Sequence, residues 1–270
     1  MFKVASKIIS EKKNRYIIQS LLVAIFVYVT TQGILDIDLI SLLVLSIILV
    51  SSGVLVSHYP GINKNNFLIS IIMPLGVLSG ALLSLSYYPN LGSTFKLLVI
   101  GFFGVLYYLV SLADNVFLVV HDREEIIPLF RVAVTWSQIL QVVVAIPIFA
   151  GVFKLDTQVF SQSLIVALIS SLFCYYQLWI YGFEPDAKKT GVGEKIYLCC
   201  VSFFILYTSS MAVSFFPSED FLRALFVSSV LLFVLNYISA HLKNEISRKM
   251  IFGYLAIVVT FLLSVIFFRP

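Results

Sequence analysis

Apolar runs of 17 to 26 residues recur nine times along the chain, each closed by a short polar break: 16–32, 39–58, 67–87, 95–120, 132–150, 158–182, 196–216, 221–241 and 250–268. A hydrocarbon core about 30 Å thick takes about 20 residues of helix at about 1.5 Å each, so every run predicts one membrane-spanning helix. The breaks carry turn chemistry. "YPGINKNN", "YYPNLGS", "EPDAKKTGVGEK" and "FPSED" gather Pro, Gly, Asn and Asp, which end helices by withholding a donor or by accepting positive φ. None is longer than about a dozen residues, which leaves no room for an inserted soluble domain. The expected fold is all-α: a single nine-helix transmembrane domain over 16–270, preceded by a basic segment over 1–15.

Composition agrees with this pattern. Hydrophobic residues make up 60% of the 270 positions and charged residues 12%, about half the charged share of soluble domains. Mean hydropathy is +1.02, so lipid is the expected main solvent and the bilayer the first partner. The net charge of +4 reports orientation rather than nucleic-acid binding, because cytoplasmic loops retain Lys and Arg. With the N-terminus inside, the inner segments hold Lys3, Lys7, Lys12, Lys13, Arg15, Lys64, Arg123, Arg131, Lys188, Lys189, Lys195, Lys243, Arg248 and Lys249, fourteen of the eighteen basic residues. Lys96, Lys154, Arg223 and Arg269 fall outside. This bias predicts a cytoplasmic N-terminus and, with an odd helix count, an external C-terminus. Short loops favour a bacterial inner membrane.

The first fifteen residues place Phe2, Ala5, Ile8 and Ile9 near one helical face, with lysines elsewhere. That suits either a helix lying on the inner leaflet or a frayed basic tail. No small-x-small cleavage site follows the first apolar run, so it is read as a retained signal anchor. Cys174, Cys199 and Cys200 all lie in apolar stretches without ligand spacing, which supports neither a disulfide framework nor a zinc site.

A faint 4+4 parallel duplication with one additional helix is readable in the polar landmarks. "LDID" before the second helix and "LDTQ" before the sixth are 120 residues apart, as are "HDREEI" from 121 and "HLKNEI" from 241. "SYYP" from 86 and "SFFP" from 214 are 128 apart, so the fourth helix should be about two turns longer than the eighth if the halves correspond. Independent recurrence of aromatic, Pro and basic caps at membrane boundaries gives the same picture.

The most polar passage is "SLADNVFLVVHDREEIIPLFR", 111 to 131. At 100° per residue, Tyr107, Ser111, Asp114, Asn115, His121 and Asp122 share about a third of the circumference of the fourth helix. That face should avoid lipid. Asp114 sits about six residues, roughly 9 Å, from the inner end, and an ionisable group at that depth marks a functional-site hypothesis. Its competitor is a protonated or hydrogen-bonded aspartate that only ties helices together. Asp122 with Glu125 three residues later reads as a capping box for the next helix. Other intramembrane polar groups, His58, His121, Gln138, Gln141, Gln177, Asn236 and His241, all fall in the cytoplasmic half and would line a vestibule open to the cytoplasm. Gly76, Gly80 and Ser84 on the third helix form a small-residue stripe that would close the outer half.

Several chemistries are excluded. Ser79 has no His at its depth for intramembrane serine proteolysis, and HExxH, Walker and GxSxG patterns do not occur. "DNVFLVVHDR" (114 to 123) and "EPDAKKTGV" (184 to 192) resemble the two Asp-rich motifs of the UbiA-type prenyltransferases, which have nine helices, an internal N-terminus, Mg²⁺ and a prenyl diphosphate. The first passage lies after helix four rather than helix two, and Leu118 stands at its middle acidic position. The resemblance implies a membrane enzyme acting on a lipid headgroup or prenyl diphosphate at the cytoplasmic face. Asp114, Asp122, Glu125 and Asp186 would then hold Mg²⁺ or phosphate, and Arg123 and Arg131 would neutralise charge. The leading reading is non-enzymatic: a carrier-like permease, or the membrane subunit of a complex, with Asp114, Asn115, His121, Gln138, Gln141 and Asn236 contacting a small polar solute. A third is an assembly scaffold with a dry interior, in which the amides merely bond to neighbouring helices. The first two separate on one observation. An enzyme brings acids from two loops together, whereas a carrier buries Asp114 against a polar group of another helix.

Overall fold

The structure is a computed structural model that describes residues 12–33, 39–87, 92–123, 128–184 and 186–268, with the side chains at 39, 40, 64, 65 and 123 not described. Among the described residues there are nine α-helices and no strand: α1 Lys12–Thr31, α2 Leu39–His58, α3 Lys64–Tyr87, α4 Ser93–Arg123, α5 Pro128–Phe153, α6 Val159–Tyr181, α7 Val192–Ser214, α8 Asp220–Lys243 and α9 Arg248–Phe267. All nine are long and apolar enough to cross a membrane, as expected of a multi-pass membrane protein. Their ends lie within four residues of the spans expected from the apolar runs. The small extensions are polar residues that wind on into the headgroup layer, where water can still satisfy the terminal carbonyls and amides.

Local chemistry sets several ends. Gly33, at φ 67°, follows α1 in a conformation that costs a residue without Cβ little. Pro128 opens α5 at the position where a missing N–H is harmless. Asn244 ends α8 in the left-handed region at φ 55°, its N–H bonded to the carbonyls of Ala240 and His241. Ser247 caps α9 by accepting from the Met250 N–H at 3.2 Å. Pro74 and Pro147 lie inside α3 and α5 without ending them. Asp122 does not cap the following helix: α4 continues to Arg123, which places Asp122 in its last turn, and Glu125 lies outside the described residues. The amphipathic segment expected over the first residues also lies largely outside them.

Two compact units divide at Ala133 and Val134, inside α5. In unit 1, α1 packs on α2, α3 and α4, and α3 packs on α2 and α4. Gly76 and Gly80 are buried along α3, and the Ser84 hydroxyl donates to the Gly80 carbonyl at 2.7 Å. The core here is Tyr16, Val23 and Val27 of α1, Met73 and Val77 of α3, and Phe103, Tyr107 and Phe117 of α4. In unit 2, α6 packs on α7, α8 on α7 and α6, and α9 on α8. Buried residues run the whole length of α6, whereas Val265 is the one buried residue of α9. α6 is therefore the interior helix of this unit and α9 its periphery. α4 has 31 residues and α8 has 24, the two-turn difference that the mismatched spacing required. The tightest pairs differ, α1 with α4 in unit 1 and α6 with α7 in unit 2, so packing adds no support for a duplication.

Candidate functional site

The buried polar face of α4 is built by helical periodicity. Tyr107, Ser111 and Asp114 stand at i, i+4 and i+7 and are all buried, Asp114 completely. Ser111 is satisfied within its own helix, donating to the Tyr107 carbonyl at 3.0 Å. Across the interface with α1, the Gln19 amide donates to the Tyr107 hydroxyl at 3.4 Å and to the Leu49 carbonyl of α2 at 3.2 Å. One turn nearer the inner end, the Tyr16 hydroxyl of α1 shares a hydrogen bond with Nδ1 of His58 at 3.4 Å, their rings 5.2 Å apart. Asp114 lies within electrostatic reach of both Tyr16 and Tyr107. Unit 1 thus gathers a carboxyl, two phenols, an imidazole and an amide from three helices.

The inner rim of this cluster is basic. Arg15 donates to the carbonyls of Tyr59 at 3.0 Å and Val56 at 3.4 Å, where the negative end of α2 favours a cation. Lys12 lies within electrostatic reach of His58. A Cβ on Gly61 would meet the Asp122 carboxylate at 2.8 Å and the Lys12 ammonium at 3.8 Å, so both side chains fold over this glycine.

Gly53 has a sharper role. A Cβ there would overlap the Gln19 amide, so α2 is bare at this point to admit it. Gly53→Ala is expected to push Gln19 off both acceptors and to destabilise the protein by about 1–3 kcal/mol, the cost of stranding buried polar groups. Unfolding in mixed micelles measures this. Once Gln19→Ala has emptied the space, adding Gly53→Ala should cost little more, and a double variant as weak as the sum of the singles would refute the steric account.

Unit 2 holds a second cluster. Gln141 of α5 donates to the Gln177 amide oxygen of α6 at 2.5 Å and to the Ser137 hydroxyl at 3.4 Å. Gln138 donates to the Ser239 hydroxyl of α8 at 2.6 Å and to the Tyr181 hydroxyl at 3.4 Å. Gln141 and Gln177 are fully buried, yet Oε1 of Gln141 and Nε2 of Gln177 have no hydrogen-bond partner among the described residues. α6 carries a longer polar seam, which Glu184 continues just past its end. Ser163, Ser170, Gln177 and Glu184 recur every seven residues and all are buried, a spacing that drifts only about 20° per step around a helix. Ser210 of α7 donates to Ser163 at 3.3 Å, and Ser170 bonds the Val166 carbonyl at 2.8 Å.

At the inner end of that seam, charges fasten the α6–α7 connection to the end of α8. Glu184 is 3.9 Å from Lys243, whose ammonium sits 5.5 Å from the Tyr181 ring centre. Glu194 binds Lys188 at 2.9 Å and His241 at 3.5 Å. The Lys188 N–H donates to the Leu242 carbonyl at 2.7 Å, a backbone tie that salt does not screen.

The residues expected from sequence divide accordingly. Asp114 and Gln141 are completely buried, Asn115, Gln138 and Asn236 half-buried, and His121 exposed. Asn236 donates to the Leu232 carbonyl of its own helix at 2.8 Å. The shared stripe on α4 therefore splits. A helix of 31 residues is about 46 Å long, well beyond the hydrocarbon thickness. His121 and Asp122 accordingly sit on the exposed inner turns while Asp114 stays in the core. Asp122, Arg131 and Asp186 are exposed, Glu125 lies outside the described residues, and the Arg123 side chain is not described. Asp114 and Asp122 are eight residues apart, about 12 Å along α4, one enclosed and one facing out. Among the described residues no three of His, Cys, Asp and Glu converge. This donor set does not fit a hard cation, which needs several oxygens at one point. Tyr16, Gln19 and Tyr181 were not singled out from sequence, although the seven-residue recurrence on α6 was there to be read.

Compared with protein-family models, curated proteins and solved structures, the chain matches none of them. The likeness to prenyltransferases rests on its two quoted passages alone.

Proposed function

We propose that this chain is a carrier-like permease of the cell membrane, read as a bacterial inner membrane, that holds a small polar solute through groups in its cytoplasmic half. One observation carries the reading: Asp114 is wholly enclosed by protein at membrane depth. An intramembrane carboxyl is expensive to keep unless it serves a pathway or a ligand. Asn115 and His121 continue the polar face of α4 in unit 1, and Gln138, Gln141 and Asn236 are the polar groups that unit 2 offers by itself.

A second reading, a membrane subunit whose amides serve packing, is favoured by the direct bonds from Gln141 to Gln177 and from Gln138 to Ser239. The two separate in a thermal-unfolding screen of the purified protein against small polar metabolites. A carrier should be stabilised by one chemical class, by about 2.7 kcal/mol at a hundredfold excess over Kd. Asp114→Asn should leave the unliganded melting temperature near wild type and lose that shift. A flat screen, or a shift that survives the substitution, favours the subunit.

A further inference from the structure

We infer that the groove between the inner halves of α7 and α8 seats one acyl chain of an anionic phospholipid of the inner leaflet, with Lys195 holding the phosphate at its mouth. The site lies apart from the groups proposed for a solute and does not depend on them.

The groove is a cleft of about 300 Å³, at the small end of the volumes that hold a ligand. α7 lines it with Leu198, Val201 and Ile205, and α8 with Phe233, Val234 and Tyr237. The Phe233 and Tyr237 rings stack into a flat wall, their centres 6.4 Å apart. Leu198, Ser202, Val234 and Ile238 are buried, whereas Val201, Ile205 and Phe233 are half-buried and Tyr237 is exposed. The cleft is therefore closed behind and open at its side. Tyr197 and Phe204 beside it are 67% and 66% exposed, so that side opens toward lipid.

Depth selects the occupant. Ile205 lies ten residues beyond Lys195 and Phe233 ten residues short of Lys243, so both walls end about 15 Å from the basic rim. That is half of a hydrocarbon core about 30 Å thick. A partner helix would seek a seam running through both leaflets, whereas a chain of one leaflet needs only this length.

Charge selects the headgroup. Lys195, Leu198, Ser202 and Ile205 stand at i, i+3, i+7 and i+10, one face of α7, which sets Lys195 over the α7 wall. Its side chain leans toward the start of α7, the cytoplasmic end under the charge-bias orientation, where the ammonium meets headgroups. His241 stands in the same way over Val234 and Ile238 of α8. Glu194 is the acid nearest this mouth, and Lys188 at 2.9 Å and His241 at 3.5 Å already answer its charge. Over 184–195 and 241–249, six Lys and Arg face four Asp and Glu, a positive balance. Basic pockets between helices on the cytoplasmic side recognise anionic headgroups. No side chain caps α7, and a Cβ on Gly191 or Gly193 would meet nothing within 4 Å among the described residues, so the mouth is open to a phosphate.

Native mass spectrometry of the whole protein, released from micelles holding equimolar phosphatidylglycerol and phosphatidylcholine of matched chains, reads the lipid it keeps. One phosphatidylglycerol should be retained in preference. Lys195→Gln should cut that preference about fivefold, the effect of one cation at the headgroup layer. Lys96→Gln, in unit 1 and at the opposite membrane face, should leave it unchanged. Val201→Phe, which fills the groove from a half-buried position, should abolish the retention with thermal unfolding near wild type; Ile205→Phe takes its place if that variant unfolds. Equal retention of the two lipids, or a preference indifferent to Lys195→Gln or to a filled groove, overturns the site. Full displacement by glycerol phosphate, which has no chain, would make it a soluble-anion site, and a dimer that sheds the lipid would make the groove a contact between copies. Either result overturns the proposal as well.

Discussion

Phe117→Ala is expected to be the most destabilising single substitution in unit 1, at about 3 kcal/mol. Phe117 is completely buried on α4 and meets Phe130 edge to face, ring centres 5.9 Å apart. In lipid the usual transfer gain is small, because acyl tails are as apolar as the core. What remains is the void. Truncation removes roughly 100 Å³, which at about 24 cal/mol per Å³ costs about 2.4 kcal/mol. The lost aromatic contact adds about 0.5–1.5 kcal/mol. Leu98→Ala on the same helix, at a side chain 66% exposed, should change stability by less than about 0.5 kcal/mol. Equilibrium unfolding in mixed micelles compares the two. Equal effects would mean that burial in this structure does not report packing, and would undermine every argument above that uses it.

Gln141→Leu and Gln177→Leu are each expected to cost about 1–3 kcal/mol, and together clearly less than their sum. Each single change leaves the opposite amide enclosed without its interhelical bond, which forfeits much of its desolvation free energy. Removing both deletes the donor and the acceptor at once. The bond itself accounts for little of this, since interhelical hydrogen bonds in membranes average about 0.6 kcal/mol. A double-mutant cycle on unfolding free energies should return a coupling of at least about 1 kcal/mol. Strict additivity would show that the two amides do not meet, and with that the second polar cluster would dissolve.

The same cycle bears on function. If the double leucine variant is stable and keeps every solute response, Gln141 serves only to hold α5 on α6. Loss of the response with stability intact places the amide pair on the solute side.

How much was readable in advance differs by level. The nine helices follow from the chain directly, because in lipid every backbone amide and carbonyl must be satisfied within its own segment. A requirement that local shows itself as about 20 apolar residues between polar breaks, which is why the expected spans and the observed helices agree to within a turn. The enclosure of Asp114 was legible for a related reason: about six residues of its apolar run separate it from the polar inner end. His121 and Asp122 share that face by helical periodicity, but the length of α4 carries them out to the exposed turns.

The partners of these groups were not legible. An apolar helix in a membrane is hydrophobic on all sides, so its sequence does not tell which face meets protein and which meets lipid. That Gln19 reaches Tyr107 through a gap left by Gly53, that Tyr16 meets His58, and that Gln141 finds Gln177 are decided by which helices lie side by side and at what rotation. Composition and periodicity were enough for the number of crossings and, through its charged loops, for the expected direction of threading. Tertiary packing alone chose the neighbours, because close van der Waals fit between helices depends on side chains that are distant in sequence and indistinguishable by polarity.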